Sequence, residues 1–306
     1  MKKIRERPDM QATLKSMDTE EFIDIRFYRP AGYLWALFFR KTGVPPNAVT
    51  LASMLIGMLA GVCFYFANLW MDIAGMLLLV WANTYDSADG QLARMTGRTS
   101  AFGRMLDGFC GDVWFFCIYA ALCLRLTPQW GIWIWLLGAA AGFFHSKQAA
   151  MADYYRNIHL FFLKGEKGSE LADSKMLRVH YERRKWADGF FLKFSDYIYY
   201  NYTKSQEAWA GRFLQMRDVL MRKYPAGVPE WFRHAFREKS LPLMKYTNML
   251  SFNMRVIVLF VSLFIDAPWI YFIFELTVLN VMLAYMVVTH GRFCESFTGQ
   301  LSGERV

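Results

Sequence analysis

The sequence predicts an all-α integral membrane protein with six transmembrane helices, an N-terminal interfacial helix and a cytoplasmic helical insertion. Of its 306 residues, 55% are hydrophobic and 18% are aromatic, and the apolar residues form blocks too long for ordinary strands. The formal charge of +9 lies mainly between these blocks, which is typical of membrane topology, so no nucleic-acid partner is expected. The five cysteines lack paired spacing, which argues against a disulfide framework or a zinc site.

Residues 1–47 are predicted to form a cytoplasmic and interfacial segment. The chain begins with basic residues but becomes polar where a signal peptide has its apolar core, so no cleaved signal is expected. The stretch EEFIDIRFYRPAGYLWALFFRKTG, residues 20–43, repeats aromatic and basic residues at helical spacing without the length of a span. This pattern predicts an amphipathic helix lying in the membrane surface.

Six segments of about 20 apolar residues are long enough to cross a bilayer. Four of them lie within residues 48–150, and two lie within residues 247–306, which also include the C-terminal tail. The predicted spans are 48–68, 73–93, 105–126, 130–150, 249–265 and 268–290. Lysine and arginine concentrate in the N-terminus, the 94–104 loop and residues 151–246, so these parts and both termini are predicted to be cytoplasmic.

Residues 151–246 form a basic insertion between the fourth and fifth predicted spans. They contain 18 lysines and arginines against 11 acidic residues, and they include the aromatic cluster DYIYYNY. We expect amphipathic helices that cover the membrane surface and lie against anionic headgroups. A separate soluble domain or a docking site for another protein is the alternative.

Four aspartates lie where the second and third predicted spans approach the cytoplasm. Asp86 and Asp89 close the second span, whereas Asp107 and Asp112 open the third. An ionisable group inside a span costs about 2.5–3.5 kcal/mol and marks a functional site by default. The connection through the 94–104 loop predicts that all four carboxylates meet at one depth.

One face of the second span combines acidic, small and basic residues. At about 100° per residue, Asp86, Asp89, Gly90 and Ala93 share a narrow stripe with Arg94 at its edge. Paired carboxylates suit magnesium, the small residues leave room for a flat or bulky group, and arginine pairs with phosphate. The combination predicts a site for a metal and a nucleotide diphosphate.

The string DSADGQLAR, followed after eight residues by GRMLD, resembles the signature of the CDP-alcohol phosphotransferases. That signature reads D-x-x-D-G-x-x-A-R, seven or eight residues, then G-x-x-x-D-x-x-x-D. The stretch VPPNAVT, residues 44–50, is similar to the entry of that family's first span. The resemblance implies an integral membrane enzyme, usually a homodimer, that moves a substituted phosphate from a cytidine diphosphate donor to an alcohol and releases CMP.

Site roles follow from the resemblance by position. Asp86, Asp89 and Asp107 would hold Mg²⁺ or Mn²⁺, with two ions per active site. The implied nucleotide-binding residues are Asn47, Thr50, Gly90, Ala93, Arg94 and Gly103. Gly90 and Ala93 would face the cytidine, and Arg94 would approach the phosphates.

The fourth aspartate departs from the signature, because residue 111 is glycine and the acid is Asp112. Four residues separate two side chains by about 40° around a helix, whereas five residues separate them by about 140°. A π-bulge near Gly108 and Gly111 would restore the facing angle. We therefore expect Asp112 to act as the fourth metal-site acid and as the catalytic base.

Further polar residues lie in the later predicted spans. His145, Lys147 and Arg255 are candidates for binding the acceptor, the alternatives being a snorkelling boundary for the first two and a structural ion pair for Arg255. Glu275 and Asn280 are predicted to hydrogen-bond between helices.

The predicted activity is transfer of a phosphatidyl group from CDP-diacylglycerol to inositol phosphate, glycerol phosphate or serine in a bacterial inner membrane. A choline or ethanolamine phosphotransferase, with a soluble CDP-alcohol donor and a diacylglycerol acceptor, shares the same signature. A cation carrier would leave Gly90, Ala93 and Arg94 unexplained. An inactive nucleotide-binding relative is the remaining alternative, centred on the displaced Asp112.

Overall fold

The computed structural model describes residues 16–99, 101–165 and 169–303. The basic N-terminal residues 1–15, on which part of the topology prediction rests, lie outside the described residues. Within the described part the protein is helical and contains no strand. The helices are α1 (Arg29–Thr42), α2 (Pro46–Tyr65), α3 (Leu69–Thr96), α4 (Ala101–Trp130), α5 (Trp133–Lys164), α6 (Ser174–Arg183), α7 (Phe190–Trp209), α8 (Gly211–Lys223), α9 (Glu230–Ser240), α10 (Met244–Met249), α11 (Phe252–Phe264), α12 (Trp269–Phe274) and α13 (Asn280–Ser302).

Short helical turns of other types join some of these helices. Two are π-helical, Asp24–Tyr28 before α1 and Glu275–Leu279 between α12 and α13. Two are 3₁₀ turns, Trp186–Asp188 before α7 and Leu241–Leu243 before α10. The chain divides into two compact units, Met1–Phe143 with Val256–Ile273, and Phe144–Arg255 with Phe274–Val306.

The predicted N-terminal amphipathic helix is present as α1, which packs on α3 in the first unit. Gly32 allows the close approach, because a Cβ atom there would lie 2.8 Å from the Ser87 hydroxyl oxygen. Ala36 is fully buried on the same side. Leu34 and Phe38 are exposed, so α1 keeps an exposed apolar side.

Small residues bring α2 against α4 in the first unit. A Cβ atom at Gly57 would overlap the Trp114 ring, and one at Gly61 would lie 3.0 Å from Cys117. Such small-residue contacts are typical of helices packed within a membrane. The outer side of α2 is apolar and exposed, at Leu51, Leu55, Leu59 and Val62.

Four of the six predicted spans meet the criteria of length and apolarity for crossing a membrane. These stretches are Pro46–Tyr65, Leu106–Trp130, Glu230–Phe264 and Trp269–Ser302. The second and fourth predicted spans lie within the helices α3 and α5, which are not among the four. The reason is composition, since the acidic residues of α3 and the His145–Gln148 segment of α5 lower their mean hydropathy.

The predicted insertion is helical, but its predicted start at residue 151 falls inside α5, which continues to Lys164. In the second unit the end of α5 packs with α9 and α13 around an aromatic core. Phe162 and Phe236 lie 3.9 Å apart between ring centroids, and Phe232 lies 5.0 Å from Phe297. The insertion therefore shares its core with the last helix.

Candidate metal and nucleotide site

Three aspartates from two helices form one cluster in the first unit. Asp86 and Asp89 lie in the last turns of α3, and Asp107 lies in the second turn of α4. One carboxylate oxygen from each lies within 4.8 Å of the others. The structure thus brings together three of the four predicted acids.

The chain reverses between α3 and α4 over a short connection, and this reversal places the cluster. Helix α3 ends at Gly97, whose φ of 66° is left-handed and therefore favours glycine. The Gly97 amide donates to the Ala93 and Arg94 carbonyls, which closes the helix. The acidic ends of α3 and α4 consequently lie side by side.

The donor set of the cluster fits a divalent cation. Asp89 is 4% exposed, Asp86 is half-buried and Asp107 is exposed, so the cluster runs from the interior to the surface. Within the described chain, the Oδ2 atom of Asp89 is buried and accepts no hydrogen bond. Crowded carboxylates with an unsatisfied buried oxygen need positive charge, and oxygen ligands of this kind suit Mg²⁺ or Mn²⁺.

Basic residues flank the cluster on two sides. The Arg94 guanidinium folds back over Gly90, where a Cβ atom would lie 3.5 Å from its terminal nitrogens. Arg29, at the start of α1, lies close enough to attract the Asp86 carboxylate, and it also pairs with Glu20 at 2.9 Å. The prediction included Arg94 but missed Arg29, whose only sequence signal was its place in the predicted surface helix.

The first turn of α2 supplies the predicted nucleotide-side residues. Thr50 is 3% exposed and lies beside the Asp89 carboxylate. Asn47 is half-buried one turn earlier in the same helix. Ala93 and Gly103 are also half-buried, at the end of α3 and the start of α4. All six predicted nucleotide-binding residues therefore occur on the three helices that build or border the cluster.

Asp112 does not join the cluster. The predicted π-bulge is not present, because α4 is α-helical throughout Ala101–Trp130. Gly108 and Gly111 are accommodated in a regular helix, and five residues still turn the Asp112 side chain by about 140° from Asp107. Asp112 is exposed, and the prediction that it is a fourth metal ligand is corrected accordingly.

The three candidate acceptor residues lie in the second unit, where two of them belong to a buried network. Arg255 is 1% exposed and donates to Glu275, to His145 at 2.8 Å and to Gln148 at 2.8 Å. Its remaining donors contact the Leu250 carbonyl. Arg255 thus forms a structural ion pair with Glu275, which was the alternative to a role in binding the acceptor.

Two other predictions on these helices have clear outcomes. Gln148 donates to the Asn280 side chain at 2.8 Å and to the Glu275 carbonyl at 3.0 Å, so the predicted hydrogen bonding between helices is confirmed. Lys147 is half-buried and donates to the Ser205 hydroxyl at 2.7 Å. Lys147 is therefore hydrogen-bonded to α7, a helix of the insertion.

Comparison with known proteins places the cluster inside a recognised region. Residues 44–158 match the CDP-alcohol phosphatidyltransferase family, which confirms the resemblance predicted from the motif. No solved structure matches the chain.

Three curated relatives match parts of the chain. The "Bifunctional IPC transferase and DIPP synthase" of Aquifex aeolicus (strain VF5) is 32% identical over 97 residues, 32% of this chain and 22% of that protein. The "Archaetidylinositol phosphate synthase" of Pyrococcus horikoshii is 45% identical over 65 residues, 21% of this chain and 33% of that protein. The "Choline/ethanolaminephosphotransferase 1" of Arabidopsis thaliana is 27% identical over 107 residues, 31% of this chain and 27% of that protein. The chain thus spans a third or less of the length of each.

Proposed function

We propose that this chain, whose residues 44–158 match the CDP-alcohol phosphatidyltransferase family, transfers a phosphatidyl group from CDP-diacylglycerol to a polar alcohol. The observation that carries the proposal is the cluster of Asp86, Asp89 and Asp107, whose ligand atoms lie within 4.8 Å of one another inside the matched region. Inositol phosphate, glycerol phosphate and serine are the proposed acceptors, and CMP is the product released.

The three clustered aspartates would hold Mg²⁺ or Mn²⁺, and we propose two ions per site. When bound, the ions would neutralise the negative charge of the diphosphate and align donor with acceptor. The exposed position of Asp107 leaves the cluster open toward the surface, where a substrate phosphate would reach the bound ions. The buried Asp89 anchors the inner side of the same site.

The neighbouring residues of α2 and α3 would bind the cytidine diphosphate. Arg94 binds phosphate oxygens with its planar pair of donors. Gly90 and Ala93 leave space along α3 for the nucleotide, and Asn47, Thr50 and Gly103 border it. A Cβ atom at residue 90 would make only an ordinary contact with the Arg94 guanidinium, at 3.5 Å, so what glycine preserves there is space for the nucleotide.

The reaction is a displacement at phosphorus. The acceptor hydroxyl oxygen forms a bond to the phosphatidyl phosphorus, the bond to the CMP oxygen breaks, and the hydroxyl proton passes to a carboxylate. We keep Asp112 as the proposed acceptor of this proton but not as a metal ligand, and because its side chain is turned away from Asp107, the transfer requires a bridging water or substrate group. Asp112→Asn should then abolish turnover while leaving metal binding unchanged, and unchanged turnover would remove Asp112 from the reaction.

The same site supports a second direction, which the Arabidopsis relative favours. In that direction a phospho-alcohol moves from a soluble CDP-alcohol to diacylglycerol, as in choline and ethanolamine phosphotransferases. The chemistry at phosphorus is the same, and the lipid becomes the acceptor. Both directions release CMP.

The test is CMP release by detergent-purified protein. CDP-diacylglycerol is supplied with each polar alcohol in turn, and CDP-choline or CDP-ethanolamine is supplied with diacylglycerol, all with and without Mg²⁺ or Mn²⁺. Metal-dependent CMP release with one polar alcohol would support the first direction. Release only with a soluble CDP-alcohol would support the second, and no release with any pair would contradict both.

We further propose the full topology of six spans, with α3 and α5 crossing the membrane beside the four apolar stretches. Both termini, the acidic cluster and the insertion would face the cytoplasm of a bacterial inner membrane, and the enzyme would be a homodimer. The chemistry of the proposed substrates supports this topology, because one substrate carries acyl chains while the other is water-soluble. A site at the interface serves both.

A further inference from the structure

A cavity of about 280 Å³ lies within the second unit, between the start of α8 and the middle of α13. Its walls are largely apolar and include Trp209, Phe213, Val287 and Val288. Most of the lining lies outside residues 44–158, so the family resemblance assigns nothing to it. The volume falls just under the ~300–1,000 Å³ typical of ligand pockets, which fits one narrow apolar group.

His290 lines this cavity and has an unsatisfied nitrogen. The side chain is 2% exposed, and its Nε2 atom makes no hydrogen bond with any described residue. The Nδ1 atom lies 3.6 Å from the Cys294 sulfur, and the ring packs against Tyr155 with centroids 4.2 Å apart. We assign the Cys294 thiol as the donor to Nδ1, because a ring nitrogen is a better acceptor than a thiol sulfur, and the neutral ring then carries its proton on Nε2 and lacks an acceptor.

A buried donor of this kind is uncommon and indicates a missing partner. The aromatic rings of Phe213 and Phe293 also contact the His290 ring, so the imidazole is held in place without a polar neighbour for Nε2. An oxygen acceptor inside the cavity, such as an ester carbonyl, would satisfy it. A hydrocarbon group alone would leave the Nε2 donor without an acceptor.

Arg212 supplies a cation on the cavity lining. Its acidic contact, Glu295, lies 3.5 Å away, and both side chains are more than half exposed, so the pair is weak and easily exchanged. Gly291 allows the arginine to lie against α13, because a Cβ atom there would be 3.1 Å from the Arg212 Cδ atom. The guanidinium is thus positioned to pair with an anion bound at the cavity.

The surroundings identify the class of ligand. Helix α13 belongs to the stretch Trp269–Ser302, which is long and apolar enough to cross a membrane. An apolar cavity with one buried hydrogen-bond donor and one exposed cation matches an acyl chain, its ester carbonyl and an anionic headgroup. We propose that this cavity binds one acyl chain of an anionic phospholipid, with His290 donating to the ester carbonyl and Arg212 pairing with the phosphate.

The experiment is native mass spectrometry of the detergent-purified full chain, titrated with phosphatidylglycerol or with phosphatidylcholine of the same acyl chains. Phosphatidylglycerol should bind about tenfold more tightly, because the choline cation of phosphatidylcholine offsets the phosphate charge that Arg212 would pair with. Glycerol phosphate, which shares the headgroup chemistry but has no acyl chain, should not compete at matched concentration. Competition by glycerol phosphate would show a free-phosphate site and overturn the lipid assignment.

Two pairs of variants locate the site on the cavity. Val288→Trp fills the cavity and should abolish the preference, whereas Val281→Trp, at a more exposed position of the same helix, should not change it. Arg212→Gln should reduce phosphatidylglycerol binding to the phosphatidylcholine level, whereas Arg292→Gln, exposed next to Gly291, should leave it unchanged.

A fifth variant tests the hydrogen-bond donor of His290 without filling the cavity. His290→Phe keeps an aromatic ring in the core and removes the nitrogen, so it should weaken binding of both lipids by a similar factor. Thermal unfolding of every variant in detergent checks that it is folded. Wild-type binding by both Val288→Trp and Arg212→Gln would overturn the proposal.

Discussion

Arg255 illustrates how a single charged residue inside an apolar helix can be satisfied entirely by its own protein. Its five donors are divided among Glu275, His145, Gln148 and the Leu250 carbonyl. A guanidinium with every donor engaged has none to offer an acceptor phosphate. An arginine inside an apolar helix is rare, and the sequence alone therefore favoured a role in binding the acceptor. The structure instead gives Arg255 a structural role.

At this residue we predict a loss of stability. Arg255→Met leaves the Glu275 carboxylate buried without its cation, which costs about 3–5 kcal/mol for a pair of this kind. Arg178→Met, which breaks an exposed pair with Glu182 at 2.7 Å, should leave the melting temperature close to that of the wild type. Thermal unfolding of both purified variants in detergent measures the difference.

The same variants separate the two roles considered for Arg255. A structural role predicts a lower melting temperature together with loss of folded protein. If Arg255→Met melted like the wild type and raised only the KM for the acceptor, the residue would bind substrate and the structural account would be contradicted.

At the scale of elements, one arginine joins three segments of the first unit. Arg125 of α4 donates to Asp72 of α3 at 2.8 Å and to Asp266, just before α12, at 3.0 Å. The side chains of Arg125 and Asp72 are 6% and 3% exposed, while that of Asp266 is 87% exposed. The buried Arg125–Asp72 pair therefore contributes most of the stabilisation, and the exposed Arg125–Asp266 pair contributes little.

This difference makes a prediction about the two acidic partners. Arg125→Met removes the cation from the buried Asp72 carboxylate and should lower the free energy of unfolding by about 3–5 kcal/mol. Asp266→Asn should lower it by less than about 1 kcal/mol, because that pair is solvated. Chemical denaturation in mixed micelles measures the free energy of unfolding of both variants. Equal losses would contradict the conclusion that the buried pair is the stronger one.

The elements also show what the sequence could predict. The positions of Asp86 and Asp89 on one helical face, and of Asp107 after a short reversal, follow from helical periodicity and chain length. The regularity of α4 at Gly108 and Gly111 could not be read from sequence, since glycine permits a bulge without requiring one. Likewise, the partners of Arg255 come from residues up to 110 positions away, and such pairings depend on tertiary packing.

At the scale of the whole molecule, exposed apolar surface and basic charge occur together in the insertion. The tip of the α6–α7 hairpin exposes Trp186, Phe190 and Phe191, at 53%, 60% and 79%. The rings of Trp186, Phe190 and Phe194 stack in series, at 5.6 and 5.9 Å between centroids. The adjacent residues 183–185 are all basic, a combination typical of a surface that enters the headgroup region of an anionic bilayer.

A label on this tip should therefore contact lipid. We expect a fluorophore on Phe191→Cys, in proteoliposomes, to be quenched by brominated acyl chains, because the aromatic tip lies in the interface. The same label on Glu182→Cys, on α6, should stay unquenched. Equal quenching at both positions, or none at residue 191, would contradict the placement of the insertion on the membrane.

The most direct test of the account is equilibrium binding of Mn²⁺ to the detergent-purified protein, followed by electron paramagnetic resonance. The account predicts saturable binding that Asp89→Asn weakens at least about tenfold, by analogy with losses at metal sites, and that Asp112→Asn leaves unchanged. Glu295→Gln, an exposed acid of the second unit, is the matched control. Undiminished binding by Asp89→Asn, or a loss with Asp112→Asn equal to that with Asp89→Asn, would contradict a metal centre built from Asp86, Asp89 and Asp107.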